Sequence, residues 1–239
     1  MSPLKVSNFL DLFFRLFRYN IKVIFANKFI YFLIAAFLFF VFIITISIIN
    51  DAHLGEETIY GFLVFPGILL IFYPVVYGIQ NDDDAKMLEI IFGIPNYRFK
   101  VWLIRFVMTM VVVTVNLFVL GLLAHLTLYH IEILPMLGQV LFPITFLASL
   151  AFMFSTLIKS GNGTAIVIVI LGVIFLIFSE TLEYNAWNLF LNPYKQPREM
   201  SETIWLNIIF KNRLYLSIGS ILALLYGLFN LQFREKFVS

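Results

Sequence analysis

The stretch Phe29–Ile49, FIYFLIAAFLFFVFIITISII, holds 21 residues and no charge. As a helix rising about 1.5 Å per residue it reaches about 31 Å, the thickness of a bilayer's hydrocarbon core. Five further apolar runs follow, at 59–79, 106–129, 133–158, 163–179 and 214–233, and only His125 interrupts the run 106–129. None shows the period-two alternation of barrel strands. The runs predict an all-α polytopic membrane protein, a single transmembrane domain over 1–239 with six transmembrane helices.

Composition agrees. Hydrophobic residues make up 62% of the chain and charged residues 13%, against about a quarter charged in a soluble domain. One core cannot hide that much apolar surface, so lipid must act as solvent for much of it. The net charge of +2 is too small to argue for a nucleic-acid partner. The absence of cysteine excludes disulfides, iron–sulfur ligation and thiol nucleophiles. The charges inside the first apolar residues, Asp11, Arg15, Arg18 and Lys22, are not those of a cleavable signal peptide.

Six spans put both termini on one side, and the distribution of Lys and Arg says which. Twelve basic residues fall on the side of the termini, among them Lys28, Lys86, Lys100, Arg105 and Lys159; four, Lys195, Arg198, Lys211 and Arg213, fall on the other. Both termini are therefore expected in the cytoplasm. No charge falls in the central part of any run, where ion-coupled transporters commonly place one. Ahead of the first span, Asp11, Arg15, Arg18 and Lys22 recur at spacings that share one helical face, with Phe and Leu covering the rest. Residues 8–28 read as an amphipathic helix lying in the membrane interface, either a plain anchor or a docking platform.

Between the second and third runs the chain reads NDDDAKMLEIIFGIPNYRFK, Asn81 to Lys100. An Asp among 82–84 is suited to cap a helix N-terminus, and Gly93 with Pro95 supplies a stop. The spacing predicts a short helix over 82–94 on the cytoplasmic side. Met87, Leu88, Ile90, Ile91 and Phe92 are too apolar for a free helix of that length. They must be buried against the bundle, the membrane or another protein.

This loop resembles the coupling-helix loop of type-2 ATP-binding-cassette (ABC) exporter permeases. Asp84, the Leu88-Glu89 pair, Pro95, Arg98 and Lys100 carry the resemblance. The interfacial helix, the six spans and the outer-face segment 180–213 extend it over nearly the whole chain. The resemblance implies a permease subunit in the cytoplasmic (inner) membrane, pairing with a second copy, identical or related. Separate cytoplasmic ABC ATPase subunits would carry ATP and Mg, with no cofactor bound by this chain. It also implies that Asp84, Met87, Leu88, Glu89, Ile91, Phe92, Pro95 and Arg98 meet the ATPase. No G-x-x-x-x-G-K-[ST] phosphate loop is present, so this chain is not expected to be an enzyme on its own.

Other features bear on function. The second run contains Pro66 and Pro74, which free helical carbonyls and bend the helix. With Tyr73 and Tyr77 they are candidate lining for a conduit. Asp82, Asp83 and Asp84 are suited to Mg²⁺, which keeps a membrane-embedded enzyme with a metal-binding acidic loop as an alternative, alongside a non-transporting scaffold subunit of an envelope complex. His125, His130 and Glu132 lie near one membrane face, and local hydrogen bonding explains them better than a metal. In the segment 180–213, Ile204, Trp205, Ile208 and Ile209 recur at helical spacing. One or two short helices on the outer leaflet are expected there.

Overall fold

The computed structural model describes residues 29–49, 55–84, 86–93 and 96–233. The interfacial helix expected over 8–28, with Arg15, Arg18 and Lys22, lies outside the described residues, and so does Pro95.

The chain is all-helical. Helix α1 (Phe29–Ile49) is followed by α2 (Glu56–Val76), α3 (Gly78–Asp84) and α4 (Leu88–Gly93). A π-helical turn, Arg98–Leu103, runs into α5 (Ile104–Thr127), and α6 (Ile133–Ile158), α7 (Gly161–Thr181) and α8 (Glu202–Asn230) follow. Among the described residues, six stretches are long and apolar enough to cross a membrane: Phe29–Ile49, Glu56–Asp84, Arg98–Thr127, Ile133–Ile158, Gly161–Thr181 and Glu202–Asn230. The chain is a multi-pass membrane protein by the length and composition of these helices.

Helix α6 sits at the centre and packs against α2, α5, α7 and α8. Its buried stripe includes Val140, Ile144, Ala148 and Phe152, four residues apart, one row along a helical face. In lipid no hydrophobic force drives helices together, so close approach of small residues matters more. Glycines facing α6, Gly67, Gly219 and Gly227, provide it. A Cβ at Gly67 of α2 would lie 2.1 Å from Ile144 Cδ1, and one at Gly227 of α8 would lie 2.8 Å from the Phe152 ring.

Helix α2 keeps both Pro66 and Pro74 in its interior. The interruption comes after them, at Tyr77, and the chain resumes as α3 from Gly78. Helix α7 is most deeply packed at its start, where Gly161, Thr164 and Ile168 are buried. The half that follows Ile168 is more exposed and meets the bundle through partly buried Leu171 and Phe175, whose ring lies 6.3 Å from that of Phe146.

The structure corrects two expectations. The loop after the second span is not one helix over 82–94 but two, α3 and α4, broken around Lys86. The segment 182–201 forms turns rather than short helices. Asn185, Asn188 and Asn192 each accept a hydrogen bond from the backbone N–H two residues on, at 3.0, 2.9 and 3.0 Å. These Asx turns compete with helical bonding. The periodic Ile204, Trp205, Ile208 and Ile209 belong instead to α8, which begins at Glu202 and not near 214.

Candidate functional site

The end of the bundle that carries α3 and α4 gathers most of the residues singled out in the sequence. Asp82, Asp83 and Asp84 form the last turn of α3, not the first turn of a helix. Lys86 adopts φ 53°. Its N–H donates to Asp83 O at 2.8 Å, and Met87 N–H donates to Asp82 O at 2.8 Å. This is the Schellman closure of a helix C-terminus, with lysine where glycine is usual. Three carboxylates at a helix C-terminus oppose the helix dipole, so another interaction must hold them.

For Asp82 that interaction is Arg105. Its Nη1 donates to Asp82 Oδ2 at 2.6 Å, and both side chains are largely buried. The guanidinium also lies over the Trp102 ring, 4.9 Å from its centre. Asp83 and Asp84 point to the exterior. The three acids therefore do not act as one cluster.

Helix α4 is two-faced. Leu88, Ile91 and Phe92, at i, i+3 and i+4, are buried. Phe92 meets Tyr97 edge-on at 5.1 Å, and the Tyr97 hydroxyl donates to Leu231 O beyond the end of α8. Arg98 faces the Gln232 side-chain oxygen, with both Nη atoms at 2.7 and 3.0 Å in the amide orientation that satisfies both residues. Outward stand Asp84, Met87, Glu89 and Ile90, the last 64% exposed. Of the residues expected at an ATPase contact, Leu88, Ile91 and Phe92 are thus used inside the chain and Arg98 is partly used there. Ile90, not among them, has the exposed position.

Beside this loop, the break in α2 is tied to the start of α7. The Tyr77 hydroxyl donates to Asn162 Oδ1 at 3.2 Å, and Gly161 N–H donates to Gln80 Oε1 at 2.5 Å. Tyr73 is buried, stacked between Phe32 and Tyr77 at 5.4 Å from each, and its oxygen accepts from Asn81 Nδ2 at 3.2 Å. Pro66 is buried and Pro74 half-buried. In the single chain these four residues, expected to line a conduit, pack between helices.

The opposite end of the bundle is built around a buried arginine. Arg213, expected at the end of the outer-face segment 180–213, lies inside α8 and is buried. Its Nε donates to Gln139 Oε1 at 2.8 Å, Nη1 to Asn212 Oδ1 at 2.8 Å, and Nη2 to Leu191 O at 3.2 Å and Tyr60 OH at 3.4 Å. Tyr60 and Gln139 lie about 6 and 9 Å in from the starts of α2 and α6 at the helical rise per residue. A guanidinium at that depth is costly unless its donors are met. Asn212 Nδ2 donates to Ala186 O and Asn188 O at 2.9 and 2.7 Å, so the pair 212–213 fastens the 182–201 segment to the bundle. The stripe Trp205, Asn212, Arg213, Leu216, Ser220, Ala223 and Gly227 is the signal that a single helix runs through 213. Nearby, Ile131 N–H donates to His125 Nδ1 at 3.2 Å, a local bond, with the His130 ring 4.7 Å away.

Outside the spans, Lys195 Nζ meets Glu183 Oε1 at 2.7 Å. That bond holds the Glu183 carboxyl below its usual range, with Tyr184 helping. Burial pushes Tyr194 up to about 12, with Glu56 adding to it.

Comparison with protein-family models, with curated proteins and with solved structures returns no match. The class that the fold defines is a multi-pass, all-helical membrane protein.

Proposed function

We propose that this chain is the membrane-spanning permease subunit of an ATP-driven ABC exporter in the cytoplasmic membrane, with both termini in the cytoplasm. It works with a second permease copy and with separate ATPase subunits that bind the nucleotide and Mg. The observation that carries the reading is the two-faced helix α4. Its inner face, Leu88, Ile91 and Phe92, is packed into the chain, while Met87, Glu89 and Ile90 stand outward. A short helix fixed on one side, with Met87 and Ile90 beside the charged Glu89 on the other, suits the transmission of force from a partner.

The route from α4 into the bundle follows named contacts. Motion of α4 bears on α5 through the turn at Tyr97 and Arg98, and on α8 through Leu231 and Gln232. Motion of α3 bears on α5 through Asp82 and Arg105. Motion of α3 also bears on α7, through Gln80 and Gly161.

The test uses the lack of native cysteine. A chain carrying Ile90→Cys is crosslinked in membranes and purified with whatever it captures. An ATPase in near-equal amount, crosslinked at position 90 and lost on Glu89→Lys, supports the proposal. A chain that purifies without any nucleotide-binding protein overturns it.

A further inference from the structure

Between α2, α6 and the more exposed half of α7 runs a cleft of about 530 Å³, within the range of small-molecule sites. Val64, Ile68, Val76, Leu147, Ile168 and Val173 are among its walls, and only Tyr60 and Asn192 bring polar side chains to it. On α2 it extends from Tyr60 to Val76, about 24 Å at the helical rise. Half of a hydrocarbon core is about 15 Å, so the cleft is longer than one leaflet. Phe65, Val169 and Leu176 line it and are also surface residues, so it opens to the exterior of the bundle.

Two glycines keep it empty of side chains. Gly61 and Gly172 face the cleft from α2 and α7, and a Cβ added at either meets nothing within 4 Å. Glycine in a helix interior is destabilising, yet neither position needs it for close packing.

A second cavity of about 390 Å³ adjoins the cleft and shares Phe190 and Asn192 with it. This one is polar. Glu180, Glu183, Tyr184, Asn188 and Lys195 line it. Glu183 is spent on Lys195, while Glu180 has no ion pair among the described residues. The cup therefore carries an uncompensated negative charge at the mouth of an apolar slot. A phosphate or carboxylate head would be repelled there, and a protonated amine attracted.

We propose that the cleft and cup together bind one membrane amphiphile, its alkyl chain between α2, α6 and α7 and its amine-bearing head group beside Glu180. Binding stands apart from the exporter reading. That the amphiphile is the cargo rests on that reading.

The experiment is photo-crosslinking in phosphatidylcholine nanodiscs, without any ATPase, so its outcome is separate from that of the partner test. The probes are diazirine-bearing octadecylamine, octadecanol and octadecyl phosphate. The amine probe is expected to label peptides around 61–72 and 168–176 and to exceed the phosphate probe. Gly172→Phe fills the slot and is expected to lower amine labelling about tenfold, a difference worth about 1.4 kcal/mol. Gly61→Phe enters from the other wall and acts alike. Gly138→Phe, at another open position on α6, leaves labelling unchanged and controls for bulk. Glu180→Gln removes the preference for amine over alcohol. Labelling spread evenly over α1 and α8, equal labelling by amine and phosphate, or a Gly172→Phe chain that alters only the oligomeric state would each overturn the proposal, the last assigning the cleft to a second copy of this chain.

Discussion

Arg105 reaches back 23 residues to Asp82, at 2.6 Å, and fixes the acidic end of α3 to the start of α5. Removing either partner leaves the other charge buried and unpaired. Arg105→Ala or Asp82→Ala is expected to cost about 3–5 kcal/mol. The neutral double variant Asp82→Asn with Arg105→Gln recovers much of that loss. Reversible unfolding in mixed micelles, run as a double-mutant cycle, checks both statements. Additive losses in the double variant would show that the two charges do not interact.

Arg213 meets four acceptors drawn from α2, α6, α8 and the 182–201 segment. Arg213→Ala strands those acceptors and is expected to cost about 3 kcal/mol, since a hydrogen bond to a charged group contributes about 1.5–3 kcal/mol. Arg213→Lys keeps the charge but not the planar fork, and falls between wild type and Ala. Limited proteolysis gives the local readout: cleavage within 182–201 rises sharply in Arg213→Ala and is unchanged in Lys211→Ala.

Gly161 begins α7 against the break in α2. A Cβ there would lie 2.3 Å from Tyr77 Cδ1 and 2.7 Å from Gln80 Oε1. Gly161→Ala is expected to lower stability by about 1–3 kcal/mol, the usual cost of overpacking. Gly138→Ala, in open space, is expected to be neutral or to stabilise by about 0.5–1 kcal/mol. Thermal unfolding in detergent separates the two. Adding Tyr77→Ala to Gly161→Ala recovers part of the loss if the ring is what obstructs.

The Glu183–Lys195 pair sets a pH window for the 182–201 segment. The hydrogen bond from Lys195 lowers Glu183 from its usual 4.5. A depressed carboxylate contributes fully above the unfolded value and loses its contribution as pH falls through the lowered one. Lys195 is raised above 10.5 by its bond to Glu183, so its share is full below 10.5 and is lost as pH rises through the raised value. Hydrogen exchange of backbone amides near 182–195 is expected to show constant protection across neutral pH and loss at both extremes. Because the pair is exposed, salt weakens the effect, and Lys195→Met removes it. Tyr194 stays neutral until about pH 12 and adds nothing within the window.

Outward and inward positions on α4 separate stability from partner capture. Leu88→Ala, at a buried position, is expected to cost about 2–5 kcal/mol. Ile90→Asp, at an exposed one, leaves unfolding unchanged and abolishes capture of the ATPase. If Ile90→Asp lowers stability as Leu88→Ala does, the outward face is not free for a partner.

The sequence by itself determined the six apolar helices. Transfer of a helix into hydrocarbon is a sum over about twenty consecutive residues, and that sum is written locally in Phe29–Ile49 and its five successors. The tertiary structure decided the polar groups. Asp82–Asp84 read as an N-terminal cap because Asp favours that position, but Arg105 holds Asp82 at the other end of a helix. Leu88, Ile91 and Phe92 read as residues that must be buried against the bundle, the membrane or another protein, and folding decided for the chain itself, where Phe92 meets Tyr97. Arg213 read as the end of a loop because a charge lowers local hydropathy. It lies inside a helix because acceptors from Tyr60, Gln139 and Leu191, up to 153 positions away in the chain, meet its donors. The energy of placing a buried charge depends on partners that only folding brings within reach, and no window along the chain contains them.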